Sequence, residues 1–323
     1  MTRPPRARCF ALAVIAGLAG AIATAALAAD DAGHVSVELI SEHTALTAGQ
    51  SQQLGILLRH EPHWHTYWVN PGDSGLPTTL TWTLPPGVKA PDIAWPLPKR
   101  FDVGGLYNFG YDGEVVLPVA ISVPADAAPG SKAHIAVDAK WLVCREECIP
   151  GKKTLTLDLP IAAATDAAKP DARWTMQFSR ARLAEPQATA WKATNAADGD
   201  RIVVTLRGPN LPAAEGLDAF VAARRLVDNK PPRIRREGDA LRVDFGKSEY
   251  FGAPPETFDL VVTQPSAAGV RGWRVRVPFA ANAAPQKMQR FTRAAVVEPA
   301  ADLDHAADES LQVGDVHDRS GRG

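Results

Sequence analysis

Cys144 and Cys148 stand four positions apart in the segment Trp141-Leu142-Val143-Cys144-Arg145-Glu146-Glu147-Cys148-Ile149-Pro150-Gly151. Two sulfurs at that spacing suit a short-range disulfide. Such a bond can also be exchanged: a thiolate attacks a partner's disulfide and the neighbouring thiol resolves the mixed species. In a continuous strand the two residues would lie about 13 Å apart, at ~3.3 Å per residue. A disulfide needs Cα atoms roughly 4.4–6.8 Å apart. The strand must therefore end at or just after Cys144 and turn, with Arg145-Glu146-Glu147 at the tip and Pro150-Gly151 helping the return. Arg145 favours a thiolate nearby, while Glu146 and Glu147 oppose it. As a plain staple the bond would do little, since closing a loop of five residues stabilises by only about 2 kcal/mol on the chain-entropy model.

The elements that must position this pair are strands. Alternating runs punctuated by Pro and Gly recur from His34 to Leu159: Val35-Val37-Leu39, Leu54-Ile56-Leu58, Leu80-Trp82-Leu84, Val115-Leu117-Val119-Ile121, Ile135-Val137-Ala139-Trp141-Val143 and Leu155-Leu157-Leu159. Period-two alternation between turn signals marks half-buried strands, and so many in one stretch predict an antiparallel sandwich. In the run before the cysteines the odd positions take the core face. Cys144 then falls with Asp138 and Lys140 on the other face, where it is expected to be reachable from outside. An Ala/Asp-rich stretch near Ala162–Ala172 breaks the pattern, and Trp174, Phe178 and Ala181 predict one short amphipathic helix. Alternation resumes in Ile202-Val204-Leu206, Leu241-Val243-Phe245, Phe258-Leu260-Val262 and Trp273-Val275-Val277-Phe279, enough for a second, smaller sandwich without a cysteine.

Arg3, Arg6 and Arg8 precede an uncharged stretch from Phe10 to Ala29 that ends Ala26-Leu27-Ala28-Ala29, the pattern of a secretory signal peptide with an A-x-A cleavage site. Cys9 leaves with it, so the exported chain carries one cysteine pair in an oxidising compartment. The expected division is a signal peptide over 1–29, a sandwich carrying the cysteines over 30–162, a linker with a short helix over 163–185, a second sandwich over 186–282 and a disordered tail over 283–323. With 35 basic and 36 acidic residues among 323, nothing points to nucleic acid. No later stretch approaches the ~18 apolar residues of a membrane span, so a soluble exported protein is expected.

Four motifs in one order carry a resemblance: His63-Trp64-His65-Thr66-Tyr67-Trp68-Val69-Asn70-Pro71-Gly72-Asp73-Ser74-Gly75-Leu76-Pro77, then Trp95-Pro96-Leu97-Pro98, then Gly110-Tyr111-Asp112-Gly113-Glu114 with Leu117-Pro118-Val119, then Trp141 to Gly151. Together they resemble the periplasmic N-terminal region of the DsbD thiol:disulfide interchange family, with the nearer likeness to its ScsB-type members, associated with copper tolerance. The resemblance spans about residues 35 to 285. It implies an all-β protein with two immunoglobulin-like β-sandwich domains in tandem, located in the periplasm and needing no cofactor. Its Cys144–Cys148 pair would receive electrons from a membrane electron-transfer protein and pass them to thioredoxin-like or disulfide isomerase proteins, or to cytochrome c maturation factors. Cys148 would form the mixed disulfide and Cys144 would resolve it. Tyr107 and Phe109 would be the cap aromatics that shield the pair, with Arg145, Tyr111 and Trp141 around it. Members of the family continue into a multi-helix membrane domain and a thioredoxin-like domain with its own C-x-x-C. This sequence contains neither, so a separate membrane donor or a longer parent protein is expected.

Other motifs are weaker. Gly72-Asp73-Ser74-Gly75 resembles a serine-protease nucleophile segment but lacks the required partners at long separations, and Asn70-Pro71-Gly72-Asp73 reads as a tight turn. His63 and His65, two apart on an expected strand, could with the cysteines make a copper or zinc site. Trp64, Tyr67, Trp68, Trp82 and Trp95 are expected in the core. The rival to an exchange protein is a non-catalytic binding module, copper-binding at those histidines, with the disulfide as a staple.

Overall fold

The computed structural model describes residues 33–279 apart from 167 and 268. The expected signal peptide and disordered tail lie outside the described residues. Up to the linker the strands are β1 (Val35–Ser41), β2 (Leu46–Thr47), β3 (Ser51–His60), β4 (His65–Gly72), β5 (Thr79–Thr83), β6 (Lys99–Val103), β7 (Leu106–Asp112), β8 (Glu114–Ser122), β9 (Lys132–Cys144) and β10 (Cys148–Ala162). They make a three-stranded sheet, β1-β3-β8, and a larger sheet ordered β2-β10-β9-β4-β7-β6, with β5 also paired to β9.

Alternation is what closes these two sheets on each other. Val37 and Leu39 of β1, Leu54, Ile56 and Leu58 of β3, and Leu117, Val119 and Ile121 of β8 meet Ile135, Val137, Ala139, Trp141 and Val143 of β9 in one core. Trp68 of β4, Trp64 just ahead of it, and Phe109 and Tyr111 of β7 complete it, and Trp82 and Trp95 pack on its margin. The aromatic cluster of the sequence is thus largely core. Each such ring buries a large apolar area beside the aliphatic side chains of the sheets.

Helix α1 (Thr175–Leu183) follows the linker. Phe178 and Ala181 turn inward against Ile40, Leu57 and Val116, the face of the smaller sheet that the main core leaves free. Arg180 and Arg182 sit in its last turn, where cations favour the helix dipole, and pair with Glu114 and Glu42.

Beyond it come β11 (Gln187–Ala188), β12 (Lys192–Asp198), β13 (Arg201–Arg207), β14 (Asp218–Val221), β15 (Arg233–Glu237), β16 (Ala240–Gly246), β17 (Thr257–Ser266) and β18 (Gly269–Pro278). They form two four-stranded sheets, β11-β18-β17-β14 and β12-β13-β16-β15. Ile202, Val204, Leu206, Leu241, Val243 and Phe245 of one sheet pack on Leu260, Val262, Val275 and Val277 of the other. The all-β reading therefore holds in both halves.

The two sandwiches share buried contacts. Phe220 of β14 packs edge-on against Phe109 at 5.1 Å and Trp68 at 6.2 Å. The Asn70 side chain, 3% exposed, donates to the Val221 carbonyl at 2.8 Å. Asn70-Pro71-Gly72 is consequently not a tight turn. It is the end of β4, where the pairing with β7 shifts register between Tyr67 and Gly72, a bulged strand end that frees the Asn70 amide to reach across.

Candidate functional site: the cysteine hairpin and its cover

Strands β9 and β10 form the longest ladder of the first sandwich, running from Lys132 opposite Pro160 up to Cys144 opposite Cys148. The cysteines are thus facing residues at the mouth of a hairpin, with Cα atoms 4.2 Å apart and the sulfurs bonded. At the tip, the Arg145 amide donates to the Glu147 carbonyl at 3.1 Å. Arg145, Glu146 and Glu147 are all exposed. The corner expected from the spacing is present.

The accessibility of the two sulfur residues differs. Cys148 is exposed, whereas Cys144 is 2% exposed. The expectation that Cys144 is reachable from outside is therefore corrected. Its parity is as read from the sequence, on the face opposite Val143, but at this end of the sheet that face is covered. Cys144 lies between two strands, with Cys148 on one side and His65 of β4 directly opposite on the other. Directly opposed residues project to the same face. His65 stacks on Phe101 of β6 at 4.6 Å and meets the edge of Tyr67 at 5.3 Å. Three rings thus take the place of solvent over the outer face.

Tyr67 is the side chain that reaches the reactive end of the pair. Its hydroxyl lies 3.6 Å from Cys148 Sγ, with Ser74 beside it. Ser74 is itself held, its amide and hydroxyl both donating to Asn108 Oδ1 at 3.2 and 2.9 Å. Burial pushes the Tyr67 phenol up from its ordinary value, with neighbouring Ser74 acting the other way. It is thus a neutral donor in the physiological range, able to donate to a Cys148 thiolate. The ring rests where Gly75 leaves room, since a Cβ there would stand 2.2 Å from Tyr67 Cε1.

His65 is buried at 3% exposure, and its Nε2 finds no hydrogen-bond partner among the described residues. Burial, helped by neighbouring His60 and opposed by Asp112, lowers its pKa to about 4. It is a neutral ring beside Cys144. His60, lowered chiefly by burial, bonds the Gly113 carbonyl and Thr66.

The other expected site residues fall elsewhere. Phe109, expected as a cap aromatic, is 2% exposed and belongs to the core against Phe220, on the face of β7 turned away from the disulfide. Tyr107 is half-buried on the arm that contacts Asp73: its amide donates to Asp73 Oδ2 at 2.7 Å. Both expected cap aromatics lie on the hairpin β6–β7, and the ring it lays over the site is Phe101. Tyr111 is buried, its hydroxyl donating to the Pro96 carbonyl at 2.9 Å, and Trp141 lies in the core under the hairpin. Arg145 leans over the Trp64 ring at 5.5 Å. His63 lies in a turn ahead of β4 with φ +72° and is exposed, so it does not share a strand face with buried His65. No group of three or more His, Cys, Asp or Glu side chains among the described residues could hold a metal ion. The sequence reading missed Tyr67, Ser74, Asn108 and Phe101. The spacing of His65 and Tyr67, two apart on a strand and hence on one face, was the available signal.

Fold and site together define a β-sandwich with a disulfide at the mouth of its longest hairpin, one sulfur residue open and the other covered. Residues 36–160 match the family described as thiol:disulfide interchange protein DsbD, N-terminal, and this part of the chain is a DsbD-family N-terminal region. Among solved structures, the chain is similar to the N-terminal periplasmic domain of ScsB from Proteus mirabilis. The two are 20% identical over 77% of this chain and 95% of that one, with a TM-score of 0.54, a likeness of fold. The titin domains Z1Z2 in complex with telethonin (10% identical, 76% and 96% covered, TM-score 0.20) and the sporulation control protein Spo0M from Bacillus subtilis (9%, 76% and 90%, TM-score 0.22) are too distant to carry an argument. No curated protein matches the sequence. No helix among the described residues is long and apolar enough to cross a membrane.

Proposed function

We propose that this protein is a periplasmic thiol:disulfide exchange module that passes electrons through the Cys144–Cys148 pair to partner proteins. The observation that carries this reading is the asymmetry of the pair: Cys148 open, with the Tyr67 hydroxyl at its sulfur, and Cys144 sheltered behind it. That is the arrangement exchange chemistry uses, with one sulfur offered to the partner and the other kept for the intramolecular step.

In the reducing half-cycle a donor thiolate attacks Cys148 Sγ, the disulfide breaks and Cys144 leaves as a thiolate. The donor's second thiolate then attacks the mixed disulfide and departs oxidised, leaving two electrons on the pair. In the delivering half-cycle the Cys148 thiolate attacks an acceptor disulfide, and the Cys144 thiolate attacks Cys148 Sγ in turn. The acceptor leaves as a dithiol, with two protons balancing those given up by the pair. Tyr67 would stabilise each Cys148 thiolate by donating to it.

The acceptors on this reading are thioredoxin-like or disulfide isomerase proteins, serving cytochrome c maturation or copper tolerance, and the donor is a membrane electron-transfer protein. The staple alternative is disfavoured because Cys144 and Cys148 already face each other at the end of a long ladder. Closing so short a loop adds only about 2 kcal/mol.

The test is transfer from a reduced thioredoxin-like donor to the purified chain and on to an acceptor. Cys148→Ala abolishes transfer, and Cys144→Ala accumulates a mixed disulfide through Cys148. Wild-type rates in both single variants would sink the proposal. A reduction potential below about −300 mV, the range of structural disulfides, would favour the staple.

A further inference from the structure

Asn229, on the loop between β14 and β15, grips two separate parts of the cysteine-bearing sandwich. Its carbonyl accepts from the Arg100 guanidinium, and its side-chain amide donates to Asp73 Oδ1 at 2.8 Å. Each contact leads to the cover of the disulfide by a different route.

The first runs along β6. Arg100 points into the junction of the sandwiches, its side chain 9% exposed. Its Nε and Nη2 donate to the two Asp218 carboxylate oxygens at 3.0 and 2.7 Å, and Nη2 also donates to the Ala219 carbonyl. The cation lies over Phe109 at 4.7 Å and Phe220 at 4.9 Å. Successive strand residues point to opposite faces, so fixing Arg100 below the sheet fixes Phe101 above it, where it stacks on His65 opposite Cys144.

The second runs through Asp73. Besides Asn229, its carboxylate accepts from the Tyr107 amide, and its own amide donates to the Tyr107 carbonyl at 2.9 Å. The next residue, Ser74, is bonded to Asn108 and lies beside Tyr67, whose hydroxyl is at Cys148 Sγ. Fixing Asp73 fixes Ser74, and Ser74 fixes Tyr67.

We propose that the second sandwich serves as a clamp on the exchange site, with Asn229 the positioning residue that holds Phe101 and Tyr67 in place over the Cys144–Cys148 pair and so sets its reactivity. This inference rests on the exchange function proposed above. The clamp keeps the Tyr67 donor on the sulfur that meets the partner and keeps water from Cys144, the sulfur that must depart as a thiolate when a thiol attacks Cys148.

The test uses the full chain with Asn229→Ala, which removes the bond to Asp73 and leaves the backbone carbonyl to Arg100. Two quantities are read: the rate at which dithiothreitol reduces the oxidised pair, and the pH midpoint of iodoacetamide alkylation at the Cys148 peptide of the reduced chain, followed by mass spectrometry. Dithiothreitol reduces the variant about fivefold faster, the equilibrium weight of one hydrogen bond, and the midpoint moves to higher pH as the Tyr67 donor loosens. Asp218→Asn, which weakens the Arg100 arm, gives the same directions and serves if Asn229→Ala does not fold. Arg276→Gln breaks an exposed pair with Asp259 within the second sandwich and leaves both readouts unchanged. A folded Asn229→Ala chain with wild-type rate and midpoint overturns the clamp, as does an equal change in Arg276→Gln. Neither result touches the exchange function, which is tested separately by reduction of the wild-type pair with thioredoxin-like proteins and by the single cysteine variants. The dithiothreitol rate still reads the clamp if that function fails its test.

Discussion

The Tyr67 hydroxyl stands 3.6 Å from Cys148 Sγ, with Ser74 at its other side. It is the one protein hydroxyl placed at a cysteine sulfur among the described residues, and it meets the sulfur of the exposed cysteine. Hydrogen bonding to the charged form of a group favours that form. Tyr67→Phe keeps the ring and removes the donor. The alkylation midpoint of reduced Cys148 is expected to rise by roughly half a pH unit to one unit, less than the full strength of a bond to a charge because the residue is exposed. An unchanged midpoint would remove Tyr67 from the chemistry.

His65 makes stability depend on pH. Its folded pKa is about 4, against 6.5 for the ordinary imidazole. Below pH 6.5 the unfolded chain binds a proton at this residue that the folded chain refuses, so stability falls as pH drops from 6.5 towards 4 and levels off below it. Each pH unit between the two values is worth about 1.4 kcal/mol, so the loss across that window amounts to about 3 kcal/mol. His65→Phe, which preserves stacking on Phe101, is expected to flatten this part of the curve. Urea unfolding of both chains at pH 7 and pH 4.5 gives the comparison, and equal slopes would contradict it.

Gly110 has no room for a side chain. A Cβ would lie 1.8 Å from the Thr66 carbonyl oxygen, a backbone atom in the neighbouring strand. Gly110→Ala must push β7 away from β4 and is expected to cost about 3 kcal/mol, at the upper end of overpacking substitutions. For a chain of this size that lowers Tm by roughly 6–12 °C, which a calorimetric scan would register. A drop of a degree or less would show that the two strands separate easily.

Asn70→Ala leaves the buried Val221 carbonyl without the donor it now has. The expected penalty is about 1–3 kcal/mol for an unsatisfied buried group. Because the bond joins the two sandwiches, limited proteolysis should find the linker region before global unfolding in the variant and not in the wild type.

Much of the architecture can be read from alternation, and the exceptions have physical causes. Strands such as β1, β8 and β9 bury one face, so Val37 and Leu39, Leu117 and Val119, Ile135 and Val137 announce them. Strand β4 does not, because His65, Thr66, Tyr67 and Trp68 are all buried, and a strand covered on both faces has no period to detect. The β6–β7 hairpin escapes a reading by alternation, although Gly104-Gly105, both at positive φ, is a two-residue turn signal between strands. At the site, the spacing of Cys144 and Cys148 requires the corner and parity gives the correct face. Parity does not reveal that Phe101, His65 and Tyr67 occupy that face, because they arrive from strands distant in sequence.

The sulfurs close a ladder that continues without interruption down to Lys132 and Pro160. Strand register is held by that backbone pairing, so opening the bond frees two side chains and leaves the scaffold beneath them unaltered. Under the proposed exchange function, a carrier so built can be charged and discharged repeatedly without refolding, and each visiting partner meets the same shape whichever oxidation state the last one left behind.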